Sequence, residues 1–90
     1  MKQQVKRLTL TGNWEEVQFD FKAICYFVKN YSNGDIFVSF EENDSEDTSF
    51  KIKSGMGEEV AISYAGKKYK TDTLYVKGTG EVEVQQLDFN

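Results

Sequence analysis

The chain has 90 residues, 15 acidic and 11 basic, for a formal charge of −4, with no histidine, no proline and one cysteine, and it reads as one domain over residues 1–90. Without histidine there is neither an imidazole general base nor a Cys/His zinc site, and a single thiol excludes an intramolecular disulfide. An apolar content of 39% with 14% aromatics exceeds that of a disordered chain, and at this length the aromatics must supply much of the core.

The charge is spread evenly. Residues 1–45 carry five basic and seven acidic groups, and residues 46–90 carry six and eight, so each half is −2. Such a surface repels duplex nucleic acid at long range. Lys2, Lys6 and Arg7 are followed by Leu8-Thr9-Leu10, too short for a leader's apolar core, and no apolar run approaches the ~18 residues of a membrane helix. The expectation is a soluble chain made in the cytoplasm, with no membrane partner.

Seven Ala and Leu residues stand against 18 Val, Ile and Thr, a balance that favours strands. Period-2 alternation follows in chain order. Strands are predicted near 5–11 and at 16–21, where Val17, Phe19 and Phe21 share a face. The next covers 23–31, with both faces apolar from Ile24 to Val28, as in a central strand. Cys25 falls within this run and is expected to be a buried structural thiol. Ser32-Asn33-Gly34 predicts a type I′ hairpin turn into a strand at 35–42. Further strands are predicted at 48–53, 58–64, 71–77 and 81–89, with a phase slip near Gln85-Gln86 that predicts a bulge or a change of sheet. No window shows a helical period. The fold class is all-β: a compact antiparallel β-sandwich, jelly-roll-like or immunoglobulin-like, of about eight short strands.

Several constellations invite chemistry. The acidic run Glu41, Glu42, Asp44, Glu46 and Asp47 offers oxygens to calcium, but without the spacing of a known loop it reads as a solvated tip. Glu81 and Glu83 share a strand face at roughly 6–7 Å, within reach of paired carboxylate catalysis. Outward glutamates that discourage strand pairing on an edge are the plainer reading. Lys67-Lys68-Tyr69-Lys70 has the minimal ingredients of a single-strand nucleic-acid surface, and also of lysines snorkelling past a tyrosine. Gly55-Met56-Gly57 and Gly78-Thr79-Gly80 precede no helix and read as turns. No catalytic residue, cofactor or metal ligand is assigned, and the chain is read as a non-enzyme.

The aromatics are more informative. Phe37, Tyr75, Tyr26 on one face of the Ile24–Val28 run, and Trp14 are too many for one small core, and exposed apolar surface marks contact. Tyr26, Phe37 and Tyr75 are the candidate protein-contact residues. Trp14 and Tyr69 are the candidate stacking platform of an alternative sugar-binding reading.

Phrases in the order Phe27-Val28-Lys29-Asn30, Asn33-Gly34-Asp35-Ile36-Phe37-Val38, Ile52-Lys53-Ser54-Gly55 and Asp72 through Val84 resemble the small β-sandwich proteins among virion-structure genes of tailed bacteriophages and Gram-positive prophages. The resemblance spans residues 27–84 and rests on turn-and-strand positions. It implies a non-enzymatic structural or accessory component of a capsid or tail. Such a component self-associates or binds a larger virion protein. It transfers no functional residue.

Overall fold

The computed structural model describes residues 2–61, 63–64, 67–68 and 70–88. The strands are β1 (Lys2–Thr11), β2 (Glu15–Ala23), β3 (Cys25–Asn30), β4 (Ile36–Ser39), β5 (Phe50–Ile52), β6 (Gly57–Ala61), β7 (Ser63–Tyr64), β8 (Lys67–Lys68), β9 (Thr71–Lys77) and β10 (Thr79–Asp88). A 3₁₀ turn at Glu46–Thr48 precedes β5. One sheet has the order β1-β10-β3-β6, the other β2-β9-β4-β5, and every pairing is antiparallel. The short pair β7-β8 forms a separate ribbon.

With that ribbon set aside, the eight long strands pair first with last, second with seventh, third with sixth and fourth with fifth. Such a rolled ribbon is a jelly roll, so of the two expected sandwich topologies the chain adopts this one. Alternation fills the interior. Leu10, Tyr26, Val28, Val60, Val82 and Val84 face inward from the first sheet, and Val17, Phe19, Ile36, Val38, Ile52, Leu74 and Val76 from the second. Each such side chain contributes about 1.5–3 kcal/mol on burial.

Four of the six crossings between the sheets lie at one end: β1 to β2, β3 to β4, β5 to β6 and β9 to β10. Six of the seven glycines fall there or beside it. Gly80 shows why. It has φ +117°, and a Cβ on it would lie 2.6 Å from the Ser32 Cβ of the neighbouring crossing.

The structure corrects three sequence expectations. Ser32-Asn33-Gly34 is not a hairpin turn, because β3 and β4 belong to different sheets, and neither Asn33 nor Gly34 has a positive φ. Asn30 organises the crossing instead. Its buried amide donates to Gly34 O (2.8 Å) and Ile52 O (3.0 Å), and its carbonyl accepts from Ser32 N (2.8 Å) and Ser32 Oγ (2.6 Å). No register slip occurs near Gln85-Gln86, since β10 pairs without interruption with β1 and β3. Gln86 stays on the core face, fully buried, and donates to Phe21 O (2.5 Å) and Tyr26 Oη (3.0 Å). The irregularity lies in β2, whose register with β9 breaks between Gln18 and Ala23. Gln86 reaches the Phe21 carbonyl inside that break, and Gln4 accepts from Asp20 N at its rim (3.0 Å). Lastly, Cys25 is half-buried on the outer face of its sheet, with Sγ 2.9 Å from Glu59 Oε1.

Candidate interaction face

Strands β4 and β9 turn alternate residues away from the core, and their register sets Phe37 opposite Lys77 and Ser39 opposite Tyr75. Phe37 and Tyr75 are thus diagonal neighbours on one outer face, roughly 7–8 Å apart. Glu16 lies across from Tyr75 on β2. Trp14 closes the β1–β2 crossing with the Lys77 ammonium 6.0 Å from its ring centroid, and Lys77 also pairs with Glu46 at 2.9 Å. Lys51, opposite Phe37 on the other side, pairs with Asp35 at 3.5 Å. The result is a shallow band of half-buried rings with a charged rim. Desolvation, then the negative charges of Glu42 and Glu16, hold the Tyr75 hydroxyl above the ordinary tyrosine value.

Tyr26 does not belong to this band. It is fully buried on the core face of β3, with its ring against Phe19 and its hydroxyl donating to Thr71 O. Because both faces of Ile24–Val28 are apolar, alternation alone left its direction open, and the buried partners at Thr71 and Gln86 drew it inward. Trp14 is half-buried, with Lys77 over one ring face, and Tyr69 lies outside the described residues. Of the lysine run, Lys67 and Lys68 form β8, and Lys70 is exposed.

The more exposed apolar side chains are Val5 (37%), Phe50 (45%), Met56 (56%) and Tyr31 (58%), and none was singled out from the sequence. For Tyr31 and Met56 the only available signal is that each adjoins a glycine-bearing crossing. Tyr31 donates to Glu83 Oε2 (3.1 Å) over an open groove of about 410 Å³, lined also by Arg7, Leu8, Thr9, Glu81 and Val82.

Glu81 and Glu83 do share an outer face, but on the central strand β10 rather than on an edge. Glu83 is nearly buried, its Oε1 held by Arg7 at 3.4 Å and its Oε2 by Tyr31. A carboxylate engaged on both oxygens serves as a fixed acceptor. In the acidic loop, Asp44 accepts from Ser39 Oγ (2.6 Å), Ser45 N (2.8 Å) and Thr48 Oγ1 (2.5 Å), bonds that hold its carboxyl below its ordinary value. Those bonds tie the loop to β4. Among the described residues, no three His, Cys, Asp or Glu side chains converge on a metal position.

No family model matches the chain, and neither does any curated protein or solved structure. Its fold class and its surface therefore rest on its own geometry.

Proposed function

We propose that the protein is a non-enzymatic structural or accessory module that works through protein–protein contacts. The setting is the phage or prophage virion implied by the sequence resemblance. One observation carries the reading: Phe37, Tyr75 and Trp14 share one face, half-buried and rimmed by Glu16, Lys51 and Lys77. Apolar rings inside a polar rim are the usual anatomy of a contact patch. Jelly rolls occur in both capsid and lectin domains, so the fold leaves the choice to the site.

The test is substitution on that face. Phe37→Lys and Tyr75→Lys should each weaken assembly about tenfold or more, the loss expected of an interface aromatic, while thermal stability changes little. Equal loss of assembly and stability would make these residues core and remove the reading. The virion setting is tested separately, by whether particles purified after prophage induction contain the chain. Particles that lack it would contradict that setting.

A further inference from the structure

The two edges of the first sheet carry opposite charge. Edge strand β1 contains three basic residues and no acid, whereas edge strand β6 contains Glu58 and Glu59 and no base. Three successive antiparallel pairings separate these strands, so β1 and β6 run in opposite directions. Their registers also align. Lys6, Val84, Val28 and Glu58 form one row across the sheet, and Val5, Gln85, Phe27 and Glu59 form the next.

The second sheet repeats the arrangement with the signs reversed. Edge strand β2 carries Glu15, Glu16 and Asp20 against a single Lys22, and edge strand β5 carries Lys51 and no acid. Gln4 hydrogen-bonds Asp20, which sets β1 beside β2 on one flank, and β5 lies beside β6 on the other. One flank is thus positive over negative and the opposite flank negative over positive. Each flank also exposes a large apolar side chain, Val5 on β1 and Phe50 on β5.

We infer that copies of this chain add side by side, β6 of one copy on β1 of the next, extending the first sheet antiparallel. The inference deepens the contact-module reading by naming a second copy as partner, and it uses a surface distinct from the Phe37–Tyr75 face. Continuing each row places Glu58 of one copy opposite Lys6 of the next, and Glu59 opposite Val5 and diagonal to Arg7. Charged edges ordinarily discourage strand addition, but that device works between copies when the meeting edges have like sign. Here like signs meet only in the two-fold arrangements, β1 on β1 or β6 on β6. The head-to-tail contact is heterologous, so it closes a ring or grows a filament.

The test is a charge swap read by sedimentation velocity at low salt, with circular dichroism as the folding control. The wild type should form species of dimer size or larger that dissociate as salt rises. Lys6→Glu with Arg7→Glu, and separately Glu58→Lys with Glu59→Lys, should each weaken self-association at least about a hundredfold. Mixing these two variants should restore it, because each then offers the charge the other needs. Overturning results are a wild type that stays monomeric, edge variants that associate like the wild type, or a mixture that does not recover. If Phe37→Lys and Tyr75→Lys dissociate the wild type and the edge variants do not, the edge inference fails while the contact-module reading stands. If the edge pairs behave as expected and the Phe37 and Tyr75 variants assemble normally, the contact is at the edges and the aromatic face is not the site.

Discussion

Two buried polar side chains hold the sandwich together at its irregular points. Asn30 makes four hydrogen bonds inside the β3–β4 crossing and reaches Ile52 on β5. Asn30→Ala strands Ser32 N and Ile52 O in a largely buried site and leaves Gly34 O only the Ser32 Oγ donor. Urea denaturation should show a loss of about 2–4 kcal/mol; a change within noise would mean water replaces the amide there. Tyr26 is the second. Burial, the largest influence, raises its phenol above the ordinary 10.0, with a smaller raising effect from the Asp72 charge, opposed by the Gln86 hydrogen bond. A raised folded value means the native state keeps its proton longer than the unfolded chain. The stabilisation is therefore complete below pH 10.0 and declines as pH rises through the folded value. Tyr26→Phe should be less stable at neutral pH by about 1–2 kcal/mol, having lost the Thr71 and Gln86 bonds, and should show a shallower alkaline decline. An unchanged alkaline profile would assign that decline to other groups.

At the scale of the strands, alternation made most of the fold legible: β9 occupies the residues it predicted, 71–77, and β3 is central because both its faces are apolar. Where the reading failed, a distant partner overrode a local signal. Asn-Gly favours a hairpin, but Asn30 bonds across the corner and directs the chain into the other sheet. Gln86 looked like a phase slip because a polar residue stood at a core position; its partners, Phe21 O and Tyr26 Oη, lie about sixty residues earlier in the sequence. The outward direction of Phe37 and Tyr75 was legible from alternation, whereas the inward direction of Tyr26 was not, its strand being apolar on both faces. The crossings also give an element-scale prediction. Gly80→Ala puts a Cβ on Ser32 and forces φ +117° on a residue that resists it, so thermal unfolding should show a loss of more than ~1 kcal/mol. A neutral effect would show that the Ser32 crossing yields.

For the whole molecule, the surface says more than any pocket. The described grooves are open, Glu83 of the paired carboxylates is tied to Arg7 and Tyr31, and Phe37, Tyr75 and Trp14 gather on one outer face. Opposite charge on opposite edges gives a small acidic chain a way to meet its own copies despite a net charge that repels them. The most direct measurement is light scattering on the unmodified chain across a concentration series, at low and at high salt. Average mass should climb with concentration at low salt and return to that of a monomer at high salt. A monomer mass at every concentration in both buffers would contradict self-assembly through these edges.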